Sequence, residues 1–130
     1  MKAFTIGQLG YRTGVNVETI RYYEKIGLLP EPARSAAGYR QYGDDHLRRL
    51  HFIRRGRDLG FSIEAIRELL RLATHPDYPC QDADRLAVEH LAEVERKIAE
   101  LERLRHALGE MINCRAHTVA ECRIIDALAS

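Results

Sequence analysis

From Asp82 to Ile112 the chain runs without a proline and with one glycine, Gly109. Within it Ala87, Leu91, Val94, Ile98, Leu101, Leu108 and Ile112 recur at alternating steps of four and three, and Arg105 occupies the one position skipped. That spacing predicts a single long helix carrying a heptad seam of about four repeats. Glu93, Glu95, Arg96, Lys97, Glu100, Glu102 and Arg103 flank the seam as solvated or interhelical charges. An apolar stripe of this length must be covered. So little chain remains to cover it that a second copy is the expected partner, giving a homodimer.

The helix lies between the chain's three thiols. Cys80 precedes it, and Cys114-Arg-Ala-His117-Thr-Val-Ala-Glu-Cys122 follows it. Met1-Lys2 leads into no apolar export segment, and charges interrupt every apolar run before it could span a membrane. A cytoplasmic protein is expected, in which an odd number of cysteines is read as free thiols or metal ligands. Thiolates are soft ligands and imidazole is borderline. The Cys114–Cys122 pair alone suits linear Cu(I) or Ag(I). A third thiolate from Cys80 makes a trigonal or tetrahedral set that suits Zn(II), Cd(II), Pb(II) or Hg(II). His117 is a further ligand or a hydrogen-bonded neighbour of one. An isolated cysteine is more often a small buried apolar residue, and that reading stays open for Cys80. Among the other histidines, His75 is a weaker ligand candidate, while His46, His51, His90 and His106 are read as structural or solvent-facing.

The net charge of +1 conceals an asymmetry. Residues 1–60 hold 11 Lys and Arg against 6 Asp and Glu, while residues 61–130 hold 9 against 13. A basic first half points to a polyanion partner for that half. Thr5-Ile-Gly-Gln8 has the form of a capping box, with Ile6 and Leu9 behind it and Gly14 as a stop. Asn16 is an N-cap for a second short helix through Val17, Ile20 and Tyr23. Two short helices across a glycine turn predict a helix-turn-helix. After Pro30 and Pro32, Arg34-Ser-Ala-Ala-Gly38-Tyr39-Arg40 reads as a short hairpin, or wing. A third helix is capped by Asp44 or Asp45, and a fourth by Ser62. The arginine run at 48–57 is read mainly as a solvated face, with Arg54, Arg55 and Arg57 worth testing.

Ile-Gly-Gln-Leu at 6–9, Val-Glu-Thr-Ile-Arg-Tyr-Tyr-Glu at 17–24, Ile-Gly-Leu-Leu at 26–29 and Gly-Tyr-Arg at 38–40 resemble the MerR family of bacterial regulators. Phe52-Ile53-Arg54-Arg55 and Leu59-Gly60-Phe61-Ser62 extend the resemblance, which covers essentially the whole chain. The three cysteines resemble its heavy-metal-responsive branch, most of all the zinc-responsive ZntR group.

The resemblance implies a mainly α protein in three parts. These are a winged helix-turn-helix head over 1–75, a linker and antiparallel dimerisation helix over 76–112, and a metal-binding loop and terminal helix over 113–130. It implies Asn16, Thr19, Arg21, Tyr23, Arg34, Tyr39 and Arg40 as DNA contacts, with Tyr22 and Glu24 equally open to a structural role. It implies Cys80, Cys114, Cys122 and His117 as a metal site bridging two protomers. The metal-bound dimer is expected to bend and untwist promoter DNA so that RNA polymerase engages it. Zn(II) is the expected ion, with Cd(II) and Pb(II) sharing the site. The Cys114–Cys122 spacing, equal to that of the family's copper sensors, keeps Cu(I) open beside Hg(II). An enzyme is not expected, since no catalytic triad, phosphate-binding glycine loop or convergent carboxylate pair occurs. A thiol-based redox regulator is the nearest rival.

Overall fold

The computed structural model describes residues 3–112 and 118–130. Two compact units emerge, residues 1–83 and 84–130. The first unit holds helices α1 (Ile6–Thr13) and α2 (Val17–Lys25), then strands β1 (Ala33–Arg34) and β2 (Arg40–Gln41). Helices α3 (Asp44–Asp58) and α4 (Ile63–Ala73) follow. Helix α5 (Gln81–Ile112) begins in this unit and forms most of the second. A 3-10 turn (Val119–Glu121) and helix α6 (Arg123–Ala129) close the chain.

The helix boundaries follow side-chain chemistry. The Thr5 hydroxyl accepts the Gln8 N–H while the Gln8 side chain accepts the Thr5 N–H, a reciprocal cap on α1. Gly14 ends α1 with φ of 74°, and a Cβ there would collide with the Arg54 guanidinium. Asn16 Oδ1 accepts the Thr19 N–H at 2.8 Å, and Ser62 Oγ the Ala65 N–H at 3.1 Å. Caps of this kind contribute about 1 kcal/mol each. The third helix departs from expectation. Its N-cap is Gly43, and Asp44 and Asp45 lie in its first turn, where their charges favour the helix dipole. His46 Nδ1 accepts the Gly43 N–H at 3.1 Å in place of a carboxylate cap.

The core is built from the inward faces of these short helices. Leu9, Ile20, Leu28, Leu29, Tyr42, Leu50, Ile53 and Ile66 are fully buried, with Phe4, Val15, Tyr23 and Leu70 nearly so. Helices α3 and α4 approach closely at Gly56, where a Cβ would lie 2.9 Å from the Ile66 side chain. The wing is the expected antiparallel hairpin, with Ala33 opposite Gln41 and Arg34 opposite Arg40. A bridge between Phe4 and Tyr42 ties the start of the chain to its base.

Helix α5 has 32 residues and none is buried. Leu91, Ile98, Leu101, Leu108 and Ile112 are all exposed. The flanking charges pair along the helix itself: Arg85 with Glu89 at 3.2 Å, and Arg96 with both Glu93 and Glu100. Ile125 and Leu128 of α6 are also exposed. Among the described residues, no helix is long and apolar enough to cross a membrane.

Candidate nucleic-acid interface and metal centre

Helix α2 and the wing present a common cationic surface. Arg21, Lys25, Arg34 and Arg40 line a shallow cleft of about 220 Å3, together with Glu24 and Glu31. Arg21 and Tyr39 are exposed and Thr19 is half-buried. The wing turn is fixed by its own bonds. Ser35 N–H donates to Tyr39 O at 2.7 Å, Gly38 N–H to Ser35 O at 2.9 Å, and Arg34 Nη1 to Gly38 O at 3.1 Å. Asn16 is exposed at the start of α2, although its carbonyl oxygen is already engaged as the cap.

Tyr23 departs from the expected contact set. It is 7 % exposed and packs in the core, whereas its neighbour Tyr22 is 53 % exposed. The reason is helical spacing: Ile20 and Tyr23 lie three apart and share the inward face. The apolar stripe Val17–Ile20–Tyr23 carried that signal in the sequence.

Glu24 is the one acidic group set deep among these cations. Its side chain is 9 % exposed. The Tyr42 hydroxyl donates to Oε1 at 2.7 Å, and Arg40 Nη1 stands 3.7 Å from Oε2. Burial, and then the hydrogen bond to Glu24 and its charge, push the Tyr42 phenol up to about 12, so it remains a donor.

Three further arginines hold the helix-turn-helix from behind. Arg54 Nη1 donates to Thr13 O at 3.0 Å, at the end of α1. Arg49 Nε donates to Leu28 O at 2.7 Å and Arg67 Nη2 to Ile26 O at 2.8 Å, just beyond α2. Guanidinium groups match unpaired carbonyls at helix C-termini. Burial, and then the nearby charge of Arg67, lower the Arg49 pKa below the usual guanidinium range. Arg57 similarly donates to Phe61 O at 2.8 Å. Arg54 and Arg57 are therefore engaged within the head, and Arg55 remains exposed. Residues 21 and 41 positions apart meet in these bonds, a pairing no local sequence signal reveals.

Of the metal-ligand candidates, Cys80 is exposed and immediately precedes α5. It lines an apolar hollow of about 390 Å3 together with Phe52, Leu69, Leu72 and Tyr78. His75 stacks on Tyr78 with centroids 4.5 Å apart, and its Nδ1 lies 3.0 Å from Arg71 O. Cys122 is half-buried between the 3-10 turn and α6. Both are free thiols. Cys114 and His117 lie outside the described residues. Among the described residues, no three Cys, His, Asp or Glu side chains converge on one point.

A winged helix-turn-helix head with a cationic α2–wing face, followed by a long helix, defines a DNA-binding regulator. Family models agree: that of the MerR HTH family regulatory proteins matches residues 4–73, and that of the MerR DNA-binding segment matches residues 47–111. The chain belongs to the MerR family of helix-turn-helix transcription regulators, which are not enzymes. It is 40 % identical to the HTH-type transcriptional regulator ZntR of Escherichia coli K12, over 96 % of this chain and 92 % of that one. It is 39 % identical to a mercuric resistance operon regulatory protein of Bacillus cereus, over 96 % of each. The crystal structure of the transcription regulator PbrR691 from Ralstonia metallidurans CH34, in complex with lead(II), superposes with a TM-score of 0.83. That match has 41 % identity and covers 96 % of this chain and 98 % of PbrR691.

Proposed function

We propose that this protein is a metal-sensing regulator that binds a pseudo-palindromic promoter as a cytoplasmic homodimer. In this reading a thiophilic divalent ion, Zn(II) first and Cd(II) or Pb(II) beside it, sets the conformation imposed on the DNA. Asn16, Thr19, Arg21, Arg34, Tyr39 and Arg40 meet the duplex, with exposed Tyr22 in the place expected of Tyr23. RNA polymerase engages the distorted promoter.

The observation that carries this reading is an exposed Cys80 at the head of a helix whose apolar seam is bare. A straight helix of this length spans about 48 Å, so donors at its two ends cannot share one ion. An antiparallel pair of such helices covers both seams and brings the head of one beside the tail of the other. Cys80 of one protomer then joins Cys114 and Cys122 of its partner, with His117 as a further donor or a hydrogen-bonded neighbour. Three thiolates outweigh a +2 charge and supply the trigonal or tetrahedral shell that divalent ions prefer. The Cys114–Cys122 pair alone satisfies Cu(I), and three thiolates also suit Hg(II). The relatives named for mercury and lead accord with a thiolate site of this kind.

Promoter output against metal concentration tests the ligand set. Cys80→Ser is expected to abolish the response to Zn(II), Cd(II) and Pb(II) while leaving operator binding by the metal-free protein intact. Cys114→Ser and Cys122→Ser are expected to abolish the response to every metal. Full divalent induction in Cys80→Ser would remove Cys80 from the site and favour a copper-type pair. A response to oxidant but to no metal under reducing conditions would favour a redox regulator.

A further inference from the structure

Glu24 is at odds with its surroundings. A cleft suited to a DNA phosphate holds four cations, yet a nearly buried carboxylate stands among them. A negative charge there opposes the polyanion that the rest of the cleft attracts. Glu24 gives the buried Tyr42 hydroxyl an acceptor, but a neutral acceptor would serve that end without a charge opposed to the polyanion.

The bonds around Glu24 suggest what it does. It is the penultimate residue of α2, the helix that enters the groove in this reading. Tyr42, fully buried and bridged to Phe4, donates to one of its oxygens and holds the carboxylate in place. The other oxygen faces Arg40, which sits on β2 of the wing with its side chain 38 % exposed. The carboxylate therefore lies between α2 and the wing, at ion-pair distance from Arg40.

We propose that Glu24 is a specificity-determining positioning residue: by fixing Arg40 against α2 it makes the wing's phosphate grip available in one geometry only. Phosphate contacts carry no sequence information themselves, but they set the register in which a recognition helix meets base edges. A swinging Arg40 finds some phosphate on any duplex. A fixed Arg40 finds one only when α2 is seated in the register its base contacts require. Glu24 thus weakens binding to random DNA through its charge and favours the operator through its geometry. This inference rests on the assignment of α2 and the wing to the DNA-binding face.

The test measures affinities for operator and for random duplex of equal length, at one salt concentration. Glu24→Gln keeps an acceptor for the Tyr42 hydroxyl, so the fold is retained while the ion pair is lost. Affinity for random duplex is expected to rise about twofold to fivefold, the range set by removing one partly exposed charge interaction. The ratio of operator to random affinity is expected to fall about tenfold, one mismatched contact's worth of discrimination. Tyr42→Phe keeps the charge but releases the carboxylate. Its operator affinity is expected to fall about tenfold or more, as for a lost hydrogen bond to a charged group, with random binding unchanged. A rise by the same factor on both duplexes in Glu24→Gln would make the carboxylate a bystander charge and overturn the proposal. A parallel fall on both would make it merely structural, with the same consequence. Unchanged operator binding in Tyr42→Phe would also overturn it. The underlying reading is tested separately by the wild-type chain, which fails it if it shows no preference for the operator.

Discussion

The arginines of the head fall into two groups by burial and partners. Arg49, Arg54 and Arg67 each donate to a main-chain carbonyl near the end of α1 or α2 and are tied to the fold. Arg21 is exposed on α2, and Arg40 faces the same cleft with its side chain partly free. Neutralising a phosphate releases counterions, so each true phosphate contact steepens the dependence of affinity on salt. Arg21→Ala and Arg40→Ala are therefore expected to weaken binding to all sequences and to reduce the slope of log K against log salt by about one each. A titration of operator binding between low and physiological salt gives that slope. An unchanged slope would remove the substituted residue from the backbone contacts.

At the scale of elements, the bare seam of α5 is the feature that asks for a partner. Leu101 lies at its middle and is 62 % exposed in the single chain. Leu101→Asp would place a carboxylate in the apolar seam of the expected pair, where it has no counter-charge at its own position. The dimer is expected to shift toward monomer by sedimentation, and an intact dimer would mean that another surface holds the protomers together. The elements were legible in the sequence wherever periodicity and caps are local. Thr5, Asn16 and Ser62 mark three helix starts, Gly38 the wing turn, and the steps of four and three the length of α5. The start of α3 was misplaced because two adjacent aspartates both suit a cap, whereas His46 reaching back to Gly43 required the fold. Tyr23, expected at the DNA face, lies on the apolar stripe of α2 and packs in the core, a position its spacing from Ile20 already indicated. The Glu24–Arg40–Tyr42 cluster and the arginine bonds to Ile26, Leu28 and Thr13 were not legible, since they join segments far apart in the chain.

For the whole molecule, the proposed function makes metal occupancy and DNA shape one linked equilibrium. A metal can shift a bound dimer between two conformations only by as much as its affinity for them differs. If both conformations stay on the operator, metal changes the bend and twist of the duplex rather than the occupancy. The most direct measurement is energy transfer between dyes at the two ends of an operator duplex, with the protein saturating and Zn(II) added. The expected result is a change in transfer efficiency at unchanged operator affinity, reversed by a chelator and absent in Cys122→Ser. Release of the protein from the operator by Zn(II), or an unaltered duplex at full metal occupancy, would contradict metal-dependent DNA distortion as its mode of action.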